Sequence, residues 1–399
     1  MMGRSGAGRG LVCSLVVLAA LLSGGCSAVA EQPPENSGGP MQGADVTDYR
    51  GNLARTGLLP GPGISGQPIE LWRLQASVPL NYPPAVSAGV ALIPDGAGVA
   101  AVDLRTGRRS WTIELGSVVG SPMTVSGKTL LVVGADRILR AVDLEARSQR
   151  WQLNGVAVGA QPSVVGSVVY VGTTDRSLAA LDLSTGKRLW SVPVGHGCTK
   201  NAIVDDVAYV GSDSGSEVTA IDLAMRKIRW HRDVGSDRVA TPVVGDGIAY
   251  LAGISGGSGV NRGDRLLAVD ASTGRVKWRF RPPEDVPLAS FALADSDIVI
   301  GADSPAGDLY RVDGDTGSVL WHVRNPGAID RPVVVDGLLY VGTGRGGLNI
   351  YEFQSGALVG HADVDGYAEG VVVTGGVALV VARAPADAPG SITAFTSAS

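Results

Sequence analysis

Val169-Tyr170-Val171-Gly172-Thr173-Thr174-Asp175-Arg176-Ser177-Leu178-Ala179-Ala180-Leu181-Asp182-Leu183-Ser184-Thr185-Gly186-Lys187-Arg188-Leu189-Trp190 is the stretch that decides the fold. It holds two short apolar runs, Tyr170-Val171-Gly172 and Leu178 to Leu181, each of strand length. Asp-x-x-Thr-Gly follows, and Trp190 stands eight residues after Asp182. An Asp side chain accepts bonds from backbone N–H groups two or three residues on, and Gly takes the positive φ at the end of the turn. The stretch therefore reads as strand, turn, strand, tight turn, strand.

The same pattern recurs along the chain. Every tryptophan belongs to it: Trp72, Trp111, Trp151, Trp190, Trp230, Trp278 and Trp321, spaced by 39, 40, 39, 40, 48 and 43 residues. Asp103, Asp143, Asp182, Asp222, Asp270 and Asp313 each lie eight residues before one of them. Thr106-Gly107, Thr273-Gly274 and Thr316-Gly317 repeat the turn, and Tyr209-Val210-Gly211 and Tyr340-Val341-Gly342 repeat the first strand. Asp246-Gly247 and Asp336-Gly337 supply hairpin turns upstream. Four antiparallel strands per unit of about 40 residues make a propeller blade. One Trp per blade can wedge against the next blade at a repeated site.

Counting units gives an all-β fold, an eight-bladed β-propeller of four-stranded antiparallel blades over 48–399. The copy after Trp321 is degenerate, with Gly360 at the expected Trp position. Gly370 to Thr374, Val377 to Ala382 and Ser391 to Thr396 give three further strands, and an eighth blade then lacks its outer one. Ile69-Glu70-Leu71-Trp72 is an orphan outer strand near the start. Joining the two closes the circle and removes an exposed edge.

Ahead of the ring, Arg4 and Arg9 precede an apolar run from Leu11 to Leu22. The run is too short to span a bilayer and has the layout of a secretory signal, assigned to 1–25. Ser23-Gly24-Gly25-Cys26 resembles a lipobox, in which Cys26 receives diacylglycerol and becomes the new N-terminus. Ala28-Val29-Ala30 is the rival site for plain secretion. Residues 26–47 read as a flexible tether rich in Pro, Ser, Gly and Gln; some 20 residues fully stretched reach at most ~70 Å. The expected location is extracytoplasmic, on the cell membrane through lipid on Cys26. If an outer membrane is present the protein is placed there, because Ser27 would not act like the Asp that retains lipoproteins in the inner membrane.

The formal net charge is -5, and without Arg4 and Arg9 it is -7 (31 Lys+Arg against 38 Asp+Glu). No run of basic residues is visible, which argues against nucleic acid as a partner. Of the three cysteines, Cys13 lies in the signal and Cys26 would carry lipid. Cys198 is then alone and reads as a small buried hydrophobe.

The Tyr-Val-Gly, Leu-x-Ala-Leu-Asp and x-x-Thr-Gly-x-x-x-Trp elements resemble the PQQ-like β-propeller repeat. Tyr49-Arg50-Gly51-Asn52, Arg55-Thr56-Gly57 and Pro60-Gly61-Pro62-Gly63 resemble the lead-in found before such propellers in bacterial lipoproteins. The resemblance implies one of two functions. One is a non-enzymatic binding or scaffold lipoprotein of the BamB-like kind, serving envelope protein assembly or sensing, with an envelope protein or small ligand as partner and no cofactor. The alternative is a PQQ-dependent dehydrogenase-like quinoprotein. Such dehydrogenases are usually longer and many carry a vicinal Cys pair, and this chain has neither feature. The repeat specifies fold strongly and function weakly.

Local motifs add little chemistry. Gly253-Ile254-Ser255-Gly256-Gly257 matches G-x-S-x-G but is followed by a Gly-rich loop, not the helix a nucleophile elbow needs. His231, His322 and His361 follow the Trp position by one residue in three different blades, so a ring keeps them apart and no zinc site is expected. The repeated aspartates are turn caps by the same logic, and no catalytic residue is assigned. The candidate site is the channel mouth, because the innermost strand of each blade starts near a Pro: Pro84, Pro122, Pro162, Pro242 and Pro332. The residues before that step are Asn81, Tyr82, Ser121, Gln161, Lys200, Thr241, Ser290, Arg331 and Glu369, read as a candidate ligand or partner mouth or else a solvated rim.

Overall fold

The computed structural model describes residues 45–211, 214–254, 266–283, 288–302, 307–324, 327, 329–384 and 389–398. The signal, Cys26, most of the tether and most of the 253–263 loop lie outside the described residues. Among the described residues, the strands form eight antiparallel sheets, each four strands deep. Seven are sequential: blades 1 to 7 span 85–114, 124–154, 163–193, 200–233, 238–280, 288–324 and 329–363. In blade 5 the innermost position is split between Arg238–Val239 and Val243–Gly245, both paired with Ile248–Ile254.

The eighth blade is composite. Tyr367–Thr374, Val377–Arg383 and Ser391–Ser397 are completed by Pro68–Gln75, with Trp72 opposite Ala394. The first outer strand therefore closes the ring on the last three, as the missing strand requires. The core lies between blades. One buried cluster joins the sheets of blades 1 and 2 through Leu92, Val99, Leu130 and Val132. Another joins blades 5 and 6 through Tyr250, Phe280, Phe291 and Tyr310.

The tryptophans fasten each blade to the next. Trp72 Nε1 donates to Leu104 O at 3.0 Å, Trp151 to Leu183 O at 2.8 Å, Trp230 to Ala271 O at 3.0 Å, Trp278 to Gly314 O at 2.8 Å and Trp321 to Phe353 O at 3.0 Å. Each acceptor sits in the Asp-x-x-Thr-Gly turn of the following blade or its equivalent. The turn glycine makes room for the indole: a Cβ on Gly186, which has φ +69°, would lie 2.5 Å from the Trp151 ring. In blades 2 and 4 the glycine is replaced by Arg147 and Arg226, both at positive φ. Their guanidinium groups sit 5.6 Å from the Trp111 and 5.9 Å from the Trp190 ring centroid.

This arrangement explains the degenerate seventh copy. A Trp in blade 7 would need a strand-joining turn in blade 8 to dock on. The outer strand of blade 8 arrives from the other end of the chain, so no such turn joins it to Ser391–Ser397. Gly360 stands at the Trp position, and the chain passing through Gly66 and Pro68 fills the space: a Cβ on Gly360 would lie 2.4 Å from Gly66 O.

Candidate functional site

Alternating strand direction gives the ring two different faces. One carries the hairpin turns after each innermost strand and the aspartate turns before each outer strand. Leu104 N to Gly89 O, Leu144 N to Lys128 O and Leu183 N to Ser167 O, each at 2.9 Å, tie these two turns together. The opposite face, the mouth, carries the starts of the innermost strands and the connections between blades.

The lead-in segment crosses the channel near the turn face. Innermost strands have unpaired edges toward the axis, and this segment bonds to most of them in turn. Val46 exchanges two bonds with Val86 of blade 1, and Val125 N of blade 2 donates to Thr47 O at 2.8 Å. Arg55 donates to Ser163 Oγ of blade 3. Ile203, Val244 and Leu293 of blades 4 to 6 donate to Leu53, Ala54 and Thr56 carbonyls at 2.8, 3.1 and 2.8 Å. Val334 N of blade 7 donates to Gly57 O at 2.8 Å, and Gly376 N of blade 8 to Pro62 O at 2.9 Å. The strap touches all eight blades.

Two strap arginines fill the axis. Arg55 is fully buried and donates to Asn201 O at 3.0 Å and Tyr49 O at 2.8 Å. Arg50 donates to Arg55 O at 3.1 Å, Ser290 Oγ at 3.0 Å and Phe291 O. Asp48 lies 3.7 Å from Arg55. Burial raises the Asp48 carboxyl above its usual range and lowers the Arg55 guanidinium, and their mutual attraction only partly offsets this. The cavity that remains beside Asp48, Tyr49, Arg50, Pro84, Met123 and Arg331 is about 20 Å³, room for about one water.

The mouth residues divide into groups. Gln161 and Ser121 are buried, not on a wet rim, because the channel behind them is filled. Gln161 Nε2 donates past blade 4 to Thr241 Oγ1 of blade 5 at 3.2 Å, and Asn201 Nδ2 donates to Gln161 O at 2.8 Å. Lys200 Nζ donates to Val239 O at 2.9 Å, and Ser290 accepts from Arg50. A second group gathers where the ring closes. Arg331 donates to Glu369 O and stands 5.6 Å from the Tyr82 ring centroid. Glu369 pairs with Arg383 at 2.8 Å. Asn81 beside Tyr82 is exposed.

Arg50, Arg55, Ser163, Asn201 and Arg383 complete these groups and were not among the residues picked from sequence. The signal for the first two was two arginines in a glycine-rich lead-in that otherwise has no strand pattern. Ser163, Asn201 and Arg383 carry no local motif.

Elsewhere, aspartates and histidines have structural partners. Asp182 Oδ1 accepts from Ser184 Oγ at 2.6 Å, Thr185 Oγ1 at 2.7 Å and Thr185 N at 2.9 Å, and these bonds hold its carboxyl low. Asp270, bonded to Ser272 and Thr273, is lowered to about 2. His322 Nε2 lies 2.8 Å from Asp308, His231 Nδ1 2.9 Å from Thr219 Oγ1, and His361 Nδ1 2.6 Å from Asn349 Oδ1. Among the described residues no three His, Cys, Asp or Glu side chains gather as a metal site. Cys198 is buried, and burial pushes its thiol up.

The fold, the tryptophan–turn docking and the strand-closed eighth blade define a PQQ-like repeat propeller. The family model described as "Outer membrane protein assembly factor BamB" matches residues 69–208 and 193–399, and the chain belongs to that family. The outer membrane protein assembly factor BamB of Yersinia pestis is 25% identical over 189 residues, covering 42% of this chain and 44% of that protein. The match thus spans less than half the length of that relative. The crystal structure of BamB from Moraxella catarrhalis superposes with a TM-score of 0.63 at 20% identity, over 82% of this chain and 99% of that one. A europium-containing methanol dehydrogenase superposes with a TM-score of 0.73 at 12% identity, over 88% of this chain and 98% of that one. Identities this low establish a shared fold and no shared chemistry.

Proposed function

We propose that this protein is a non-enzymatic binding or scaffold propeller of the cell envelope, anchored by lipid on Cys26 and serving envelope protein assembly. The family match supports the assembly role. The observation that carries the non-enzymatic reading is the filled channel. Cofactor sites typically offer about 300–1,000 Å³, whereas the cavity beside the strap arginine Arg50 is about 20 Å³; a pocket of about 350 Å³ lies apart from the strap, lined by Arg176, His196 and Thr199. The two strap arginines are bonded to carbonyl and hydroxyl oxygens of the ring. The channel residues therefore do not fit a quinone, which weighs against the dehydrogenase alternative.

The working surface in this reading is the mouth face around Tyr82, Arg331 and Glu369. Three blades meet there, and the side chains present a cation, an aromatic ring and an acid together. The test is site-specific photocrosslinking in native membranes. Probes at Asn81 and Tyr82 are expected to capture an assembly-machine component, and a probe at Ser272 on the turn face is not. Capture only from Ser272, or from neither position, would overturn the assignment of the mouth.

A further inference from the structure

The turn face carries a charge pattern that no local stretch of sequence reveals. In blades 1 to 5, the eight residues starting at each turn aspartate contain twelve Lys and Arg in total, all exposed, against six acids. Arg108, Arg147, Lys187, Arg188, Lys227 and Arg275 are among them. In blades 6 and 7 the equivalent windows, 313–320 and 352–359, contain no Lys or Arg and three acids. They present Val319, Leu320, Leu358 and Val359, each 42–56% exposed, while the cationic windows also expose Leu189, Met225 and Ile228. The ring turns the spacing of about 40 residues into one cationic arc beside an aliphatic arc.

The six acids leave these windows with a cationic excess, and the hairpin turns nearer the axis on the same face add Asp205, Asp206 and Asp246 against Lys128. Asp103, Asp182 and Asp270 accept bonds within their own turns. Asp143 and Asp222 also pair with Arg150 and Arg229. Glu145 pairs with Lys128. A chain with net negative charge thus gathers positive charge on one rim.

The chain leading in from the tether leaves by the same face. Asp45 accepts from Ala88 N at 2.7 Å and Ser87 Oγ at 3.0 Å, at the hairpin turn of blade 1. Residues 27–44 can span at most about 65 Å, so lipid on Cys26 would hold this face within that distance of a bilayer. Cations favour an anionic headgroup layer, and exposed aliphatic side chains favour its apolar boundary. An acidic polymer would match only the first.

We propose that the turn face of the ring lies on an anionic lipid surface, cationic arc and aliphatic arc together, with the mouth face directed away. The anchored reading of Cys26 enters only through this orientation. The ring closes on itself within 45–398, so the unacylated chain from Ser27 folds and can be tested alone. It would be sedimented with vesicles of phosphatidylglycerol and phosphatidylcholine, and with phosphatidylcholine alone. Binding to the anionic vesicles at about 10 mM salt, lost at about 1 M where the Debye length falls to ~3 Å, is the expected result. Each cation near such a surface contributes roughly a fivefold gain in partition. Replacing Arg108, Lys187, Arg188 and Lys227 by Gln should therefore weaken it at least about a hundredfold with thermal unfolding unchanged. Val319→Ser with Leu358→Ser should weaken binding without changing its salt dependence. Equal binding by the quadruple variant, or no binding to anionic vesicles, would overturn the proposal. Retention on heparin without vesicle binding would also overturn it and point to an anionic polymer. Should the unacylated chain fail while Cys26→Ala still releases the whole protein from membranes, the arc proposal falls and the anchor stands.

Discussion

The two faces of the ring are built by different rules. On the turn face blades 1 to 6 repeat the same chemistry: an aspartate collecting backbone N–H donors, a left-handed residue, and the Trp of the preceding blade resting on it. On the mouth face corresponding positions hold Tyr82, Ser121, Gln161, Lys200, Thr241, Ser290, Arg331 and Glu369, with serine alone repeated. Repetition marks positions held by the fold. Variation at equivalent positions marks those released from it, and there specific contacts such as Tyr82–Arg331–Glu369 arise. The turn face has its own departure, the confinement of the cations in its aspartate turns to blades 1 to 5.

Changes to the repeated parts should cost stability, and changes to the variable parts should cost contacts. The largest effect is expected from deleting 66–75, which removes Trp72 and uncovers the full edge of Ser391–Ser397. Cooperative thermal unfolding should be lost, and a deletion variant that melts like wild type would refute closure by this strand. Arg55→Ala comes next: it leaves the half-buried Asp48 without its cation and buried ring carbonyl and hydroxyl groups without a donor. Such a loss costs roughly 3–5 kcal/mol, measurable by denaturant unfolding. Trp151→Ala removes a largely buried indole and its bond to Leu183 O, and a cost of about 3 kcal/mol is expected. Acid sharpens the contrast. The turn aspartates are held below their ordinary value, so their contribution is complete above about pH 4 and is lost as pH falls through the folded values, to about 2 for Asp270. Stability should fall over that window, and Asp270→Asn should flatten it. The smallest stability change is expected at the mouth: Arg331→Gln should stay within about 1 kcal/mol while photocrosslinking from Tyr82 declines.

Much of this was legible before any coordinates. The Trp spacing, the aspartate turns and the orphan strand around Trp72 fix blade number and closure, because each rests on a local motif or a simple count. The strap was only half legible. Tyr49 to Pro62 stood out as a lead-in, yet nothing local says that Leu53, Ala54 and Thr56 lie against three consecutive blades. The mouth residues were chosen by register, and register cannot show that a filled channel buries Ser121 and Gln161. No run of basic residues marks the rim for the same reason: Arg108, Arg147, Lys187, Lys227 and Arg275 are 39–48 residues apart and share a rim only in the folded ring.

The strap and its arginines leave a cavity of only about 20 Å³ beside Arg50 and Arg331, too small for a quinone. The most direct test is calorimetric titration of the purified full chain with PQQ and Ca²⁺, followed by an assay of alcohol oxidation with an artificial electron acceptor. The account predicts no saturable quinone binding and no turnover. Stoichiometric binding accompanied by turnover would contradict it and restore the quinoprotein reading.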